Sequence, residues 1–256
     1  SGDYHTVDQR LVAASTDRPP ADAVITESTY AGVEHAPRDA VEADFVETLR
    51  TTVWEGGTVV VPAFAIGRTQ EVMLVCDAHD VDCYVDGMGT RVTDMFRRHP
   101  AYVRDADVLR RAASNARVVD GRDEQRERIA AGNNVVITTS GMLSGGPAMT
   151  YVPEIYDHPV NTIALTGYQV EGTPGRDLLE TGSAEIDGRI LPVSATVEQF
   201  DFSAHADEPG LRSFLEAYAE SEVVVVHGDR CERFAEELRA DGLDATAPEI
   251  GRRFSV

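Results

Sequence analysis

The chain has 256 residues and carries 44 acidic against 23 basic side chains, a formal net charge of −21. That length holds one large or two modest domains, each able to bury a core of its own. No run of 18 apolar residues occurs, which excludes an ordinary membrane-spanning helix within it, and the opening Ser1-Gly2-Asp3-Tyr4-His5 lacks the pattern of a signal segment, so a cytoplasmic location is expected.

All the basic residues are arginines; there is no lysine. Such an acidic excess destabilises a compact state through self-repulsion, a penalty that fades as the Debye length falls to about 3 Å at 1 M salt. Acidity together with absent lysine is the pattern expected of a salt-accumulating halophile. In an ordinary protein the acidity would argue against a nucleic-acid partner. In a halophile it serves solubility and leaves room for a local arginine site. Cys76, Cys83 and Cys231 are odd in number and lack a C-x-x-C spacing. They are expected to be reduced structural thiols rather than disulfides or zinc ligands.

In chain order, Ala23–Thr26 reads as a strand. A helix is expected from Arg38 to Trp54, with Val41, Phe45, Leu49 and Val53 stepping by four along one face. Gly56-Gly57 ends it, and Thr58–Pro62 is a buried-strand run. Gly67 opens a second helix to about Ala78, and Cys83–Asp86 is a short strand before a helix-rich, charged stretch to about Ala131. Val135–Thr139 and Thr162–Thr166 are further strands, although 161–182 as a whole reads as loop-like. The chain closes with strand Ala195–Phe202, a helix from Glu208 to Ala219, strand Val223–His227 and a helix from Arg230 to Ala240. Asp207 is a candidate N-cap, Pro209 suits a first turn, and Gly242 can stop the last helix. The alternation argues an α/β fold with a mostly parallel, covered sheet.

Three strands run into glycine-containing loops that lead toward helices: Pro62–Arg68, Thr139–Pro147 and Thr166–Arg176. Glycine admits close backbone approach to a ligand, and helix-start amides attract anions. A phosphate-rich ligand is expected there, held by Arg68, Ser140, Gly141, Ser144, Gly145, Gly172 and Arg176, the arginines being suited to bidentate contacts. Geometry alone also accounts for glycine at such turns. Asp3 follows a glycine at the start of the chain, Glu27 ends the first strand, and His205 and His227 sit where apolar runs break into small residues. Two acids and two imidazoles at element ends suit a metal-assisted hydrolase.

These segments are Gly2-Asp3, Glu27-Ser28-Thr29-Tyr30, Ser140–Pro147, Gly167–Arg176, Phe202–Asp207 and Val226-His227-Gly228. In that order the chain resembles the β-CASP nucleases of the metallo-β-lactamase superfamily. It most resembles the archaeal and eukaryotic RNA 3′-end cleavage endonucleases, with ribonuclease J more distant. His227 stands where DNA-directed members typically have valine, so the resemblance favours RNA. It implies a β-CASP domain, a mostly parallel sheet flanked by helices, with the C-terminal portion of a lactamase-like αββα fold. The expected parts are a lactamase-like segment 1–31, a β-CASP domain 32–193 and a lactamase-like return segment 194–256. By the same resemblance Asp3 bridges two zinc ions, His227 is a ligand of one, His205 is the general acid and Glu27 orients it, for zinc-dependent phosphodiester hydrolysis of RNA.

One departure stands out. The H-x-H-x-D-H metal motif of the family is absent, since His5, His35, His79, His99 and His158 have no such spacing. The chain is therefore expected to be the C-terminal part of a longer enzyme, to bind zinc weakly and to be inactive alone. A second copy, or an N-terminal lactamase-like half, is expected to cover apolar surface left on the lactamase-like segments. The alternative reading is a non-catalytic scaffold that binds RNA or a partner through the β-CASP domain.

Overall fold

The structure, a computed structural model, describes residues 1–253. Its elements begin with β1 (Ala23–Glu27), α1 (Arg38–Trp54), β2 (Val59–Pro62), α2 (Arg68–Ala78), β3 (Tyr84–Asp86), α3 (Met88–Arg98), α4 (Ala106–Asn115), β4 (Arg117–Val118), α5 (Asp123–Ala130) and β5 (Val135–Thr138). They continue with α6 (Ala148–Ile155), β6 (Thr162–Leu165), α7 (Pro174–Thr181), β7 (Ser183–Ile186), β8 (Arg189–Pro192), β9 (Thr196–Gln199), α8 (Glu208–Leu215), β10 (Glu222–Val226), α9 (Cys231–Ala240) and β11 (Asp244–Thr246).

The chain forms two compact units. One comprises 1–9, 13–35 and 204–256; the other comprises 10–12 and 36–203. The packing thus changes over at 35/36 and 203/204, whereas the sequence suggests 31/32 and 193/194. The physical reason is pairing: β9 hydrogen-bonds in parallel to β6, so its segment packs with the larger unit. Residues 32–35 stay in the smaller one, where Val33 O accepts the Glu208 amide and Asp207 Oδ2 accepts the His35 amide.

The larger unit is a three-layer sandwich around six parallel strands in the order β4-β3-β5-β2-β6-β9. Strand alternation assigns the two faces. Val59, Val61, Val135 and Ile137 pack with Phe45 and Leu49 of α1, Val72–Cys76 of α2 and Leu109 of α4. Val60, Val136, Ile163 and Leu165 pack on the opposite face with Ile129 of α5, Tyr151 and Ile155 of α6, and Leu178 of α7. Phe45 meets Phe200 and Phe202 edge to face at 5.1 Å each, geometry that adds about 0.5–1.5 kcal/mol per pair to the burial of the rings. The 10–12 excursion is held by buried Glu71 of α2, whose carboxylate accepts the amides of Arg10 and Leu11 at 3.0 and 2.8 Å and pairs with Arg38 at 2.6 Å.

Adjacent β5 and β2 send their following helices to opposite faces, α6 to one and α2 to the other. In an open α/β sheet this opens a crevice at the carboxyl ends of the strands, which is where the first two glycine loops lie. The third follows β6, on the other side of β2.

The smaller unit has a three-stranded parallel sheet, β1-β10-β11. Val24, Val223, Val225 and Ala245 pack on Leu211, Phe214 and Leu215 of α8 and on Phe234 and Leu238 of α9. The Asp207 carboxylate caps α8 by accepting the Gly210 amide at 2.9 Å. On the other face Ile25 is 49 % exposed.

Several elements differ from expectation. The loop-like 161–182 contains both β6 and α7, the latter opened by Pro174 and closed by left-handed Gly182. The helix expected through Ala219 tightens into a 3₁₀ turn at Glu216–Tyr218. The β7–β8 hairpin turns through Asp187-Gly188, both with positive φ, the Asp-Gly pairing such two-residue turns favour.

Candidate functional site

The parallel register of β1 and β10 opposes Glu27 to Val226, so His227 follows at the same carboxyl-terminal edge. The turn at His227 is tight, with φ +54. Its carbonyl accepts the Ser28 amide at 3.2 Å, while Ser28 Oγ donates to Val226 O at 3.1 Å. A Cβ at Gly228 would lie 2.4 Å from Ser28 O, so only glycine lets the strand end this way.

Asp3 is placed by its neighbour. The Tyr4 ring lies 4.3 Å from Phe214, its hydroxyl bonds Thr26 Oγ1 at 3.2 Å, its amide donates to Glu27 Oε1 at 3.0 Å and its carbonyl accepts the Ala206 amide at 2.7 Å. The same contacts bring His205 alongside. A strap of residues 30–35 holds that segment from its other side: Tyr30 bridges Asp207, the Gly32 amide donates to Glu208 Oε2 at 2.6 Å, and His35 Nε2 lies 3.2 Å from His205 O.

Asp3, Glu27, His205 and His227 therefore converge. His205 Nδ1 meets Glu27 Oε2 at 2.7 Å, His205 Nε2 lies 3.7 Å from Asp3 Oδ2, and His227 Nε2 lies 3.9 Å from Asp3 Oδ1. The two imidazoles face each other with centroids 6.1 Å apart. Glu27 is buried, and its Oε2 also accepts the Thr29 hydroxyl at 2.6 Å. Burial pushes the Glu27 carboxyl up, but the hydrogen bonds from His205, Thr29 and the Tyr4 amide outweigh it and hold the group below its ordinary range. Burial also pushes the Tyr4 phenol up to about 12.

Donor atoms of Asp3, Glu27 and His205 all lie within 4.8 Å of one another. Glu27 is nevertheless unsuited to a metal, because its oxygens are already taken by Tyr4, Thr29 and His205. Asp3 and His227 fit better: both side chains are exposed, and donor atoms 3.9 Å apart can both reach one zinc ion at about 2.0–2.2 Å. Two such donors would be short of the three protein ligands usual at a catalytic zinc.

In the larger unit the three glycine loops meet at the carboxyl ends of β5, β2 and β6. A Cβ at Gly141 would stand 3.0 Å from Phe64 N. Gln169 Nε2 donates to Gly141 O and Gly167 O at 3.2 Å each, and the Gly175 amide donates to Met142 O at 3.0 Å. Ser140 Oγ accepts the Ser144 amide at 2.9 Å, and the Ser140 amide donates to Gly145 O. Gly146, with φ +71, packs so closely that a Cβ would be 2.6 Å from Thr139 O. Gly172 is exposed in open space with φ +76. Arg68 is 9 % exposed beside Gly167. Arg176 turns along its own helix and pairs with Glu180 at 2.6 Å.

Residues 69–178 match the model of the Beta-Casp domain, and residues 190–248 match the Zn-dependent metallo-hydrolase RNA specificity domain. The chain belongs to the β-CASP family, within the metallo-β-lactamase superfamily. Across 100 % of its length this β-CASP chain is 30 % identical to a probable RNase of Methanocaldococcus jannaschii, and again across 100 % it is 33 % identical to an RNase of Saccharolobus solfataricus. It spans 62 % and 53 % of those two proteins. Over 97 % of its length it is 31 % identical to the transcription termination factor FttA of Pyrococcus abyssi, of which it spans 43 %. A crystal structure of an Enterococcus faecalis protein of unknown function shares the fold at TM-score 0.51 and 10 % identity, over 90 % of this chain and 51 % of that one. No helix among the described residues is long and apolar enough to cross a membrane.

Tyr4, Thr29 and His35 had no sequence signal as site residues. Their roles depend on which backbone runs beside Glu27 and His205, and only the fold decides that.

Proposed function

We propose that this chain forms part of a zinc-dependent RNA nuclease that hydrolyses phosphodiester bonds during RNA processing. The observation that carries the reading is the 2.7 Å contact between His205 Nδ1 and the buried Glu27 carboxylate, with His205 Nε2 turned toward Asp3. The Glu27 carboxylate accepts a hydrogen bond from His205 Nδ1–H, which leaves Nε2 as the ring nitrogen turned outward; in the imidazolium form that nitrogen holds the transferable proton. His205 passes that proton to the departing 3′ oxygen. Tyr4 and Thr29 fix Glu27, so the imidazole is oriented before substrate arrives.

Asp3 and His227 are the residues of this chain that would hold zinc. A bound zinc pair supplies Lewis-acid stabilisation of the charge developing at phosphorus and activates the attacking water. The rest of the ligand set is proposed to come from an H-x-H-x-D-H segment, as a lactamase-like half or through a second copy. The RNase names of the relatives support an RNA substrate. The convergence of Asp3, Glu27, His205 and His227 favours the enzyme over a scaffold, which has no use for a buried carboxylate bonded to an imidazole. The composition supports a halophilic, archaeal source.

The test is cleavage of a labelled single-stranded RNA by the gene-length protein with zinc, against His205→Ala. Loss of proton donation should lower the rate roughly 10²–10⁴-fold with RNA binding kept. Equal rates in the two proteins, or no cleavage by either, would overturn the reading.

A further inference from the structure

The chain averages about one acidic residue in six. The loops Pro62–Arg68, Thr139–Pro147 and Thr166–Arg176 depart from that. Together they hold one acidic residue, Glu171, against two arginines, Arg68 and Arg176. A polyanion approaching these loops therefore meets less repulsion than the average composition of the chain would give.

The same loops expose apolar side chains that the core does not need. Phe64 is 43 %, Ile66 68 %, Tyr168 42 % and Val170 44 % exposed. Phe64 and Tyr168 are not loosely placed. A Cβ on Gly141 would meet Phe64 Cγ at 3.4 Å, so the ring is seated on that glycine's backbone. Tyr168 adjoins Gln169, whose buried amide bonds both Gly141 O and Gly167 O, and Gly167 O also accepts Gln199 Nε2 at 2.9 Å. An exposed phenylalanine ring and the backbone that carries an exposed tyrosine are thus held on the same short stretch of glycine loop, with Arg68 beside Gly167. Every nucleobase has a π-face, and such rings take unpaired bases with little regard to sequence.

We infer that Phe64 and Tyr168 are stacking platforms for unpaired bases of single-stranded RNA, an inference that rests on the proposed RNA substrate. The loops then hold RNA chiefly through its bases. With Arg68 only 9 % exposed and Arg176 engaged by Glu180, the electrostatic share of binding here is small.

The test compares the 256-residue chain with Phe64→Ala, Phe64→Leu, Tyr168→Ala and Tyr168→Phe. The probes are a fluorescent oligouridylate and an abasic ribose-phosphate strand of the same length, with circular dichroism melts reporting that each variant is folded. Each alanine variant is expected to bind oligouridylate roughly 5- to 100-fold more weakly. Phe64→Leu should lose affinity similarly, Tyr168→Phe should match the parent, and binding of the abasic strand should be unchanged. The slope of log affinity on log salt should be about −1.4 or shallower, as expected for at most two neutralised phosphates. Parental affinity for oligouridylate in both alanine variants would overturn the platforms while leaving the RNA reading intact. Equal loss on the abasic strand, or full affinity in Phe64→Leu, would assign the patch to backbone or general apolar contact and overturn the inference. Failure of the parent chain to bind either strand would overturn the inference together with the RNA substrate.

Discussion

Replacing Glu27 by glutamine keeps the shape of the side chain and removes its charge. Burial raises the Glu27 carboxyl, yet its net shift is downward because hydrogen bonds from His205, Thr29 and Tyr4 outweigh burial. A carboxyl depressed in the folded state contributes stability above its unfolded value of about 4.3 and loses it as pH falls through the folded value. Glutamine can still accept the Tyr4 amide through its oxygen, but its NH₂ then faces His205 Nδ1 and the Thr29 hydroxyl. Two charge-assisted bonds of about 1.5–3 kcal/mol each are lost, partly offset because a neutral amide is cheaper to bury. The expected net loss is about 1–3 kcal/mol at pH 7, a fall of roughly 2–12 °C in melting temperature for a chain of this size. The only tryptophan, Trp54, lies in the larger unit, so its fluorescence reports elsewhere. Calorimetry, together with hydrogen exchange at the Tyr4 amide, reports on the smaller unit. The gap between parent and Glu27→Gln should be widest at neutral pH and narrow as pH falls below the unfolded value of about 4.3 and through the lower folded one, as the parent carboxylate takes up its proton. A variant melting as high as the parent at pH 7, or a gap that does not narrow on acidification, would refute this account of how Glu27 is held.

Two further outcomes are expected. Buried Asp86 accepts Arg126 Nε at 2.7 Å and the Tyr151 hydroxyl at 3.0 Å; Asp86→Asn leaves the largely buried Arg126 with only the exposed Asp123 carboxylate, 2.9 Å from its Nη1, and should cost about 1–3 kcal/mol in urea unfolding followed by circular dichroism. Raising salt from about 0.1 M to about 2 M should increase the melting temperature, because the net charge of −21 is then screened; an unchanged melt would contradict a salt-adapted surface.

The parallel α/β framework was legible because its signals are local. Valines at 59–61 and apolar residues at 41, 45, 49 and 53 reveal buried strand and helix without knowledge of what covers them. Less was legible where an element depends on its partners. β4 is two exposed residues, Arg117-Val118, that count as strand only because β3 runs beside them. α6 carries Pro153 inside it, which masks its helical pattern. The β7–β8 hairpin has its turn signal in Asp187-Gly188, but 189–192 is mostly exposed and lacks the alternation that marks a strand. In the smaller unit His205, His227 and Glu27 could be found because strand ends announce themselves. The Tyr4 amide, the Thr29 hydroxyl and the 30–35 strap could not, because their value lies in register and in backbone groups that every sequence contains.

Within each unit, parallel connectivity accounts for where the chemistry lies. A parallel strand returns through a helix, so each strand's carboxyl end is followed by a loop and a helix N-terminus carrying partial positive charge. Such an edge can be used in two ways. Around Glu27 and His205 it is filled with hydrogen bonds until one carboxylate stays ionised in the interior and one imidazole is held against it. Around Gly141 it is left nearly free of formal charge, with glycine backbone and exposed rings in place of acids. The contrast shows most in so acidic a chain, where the three glycine loops together hold a single carboxylate, Glu171.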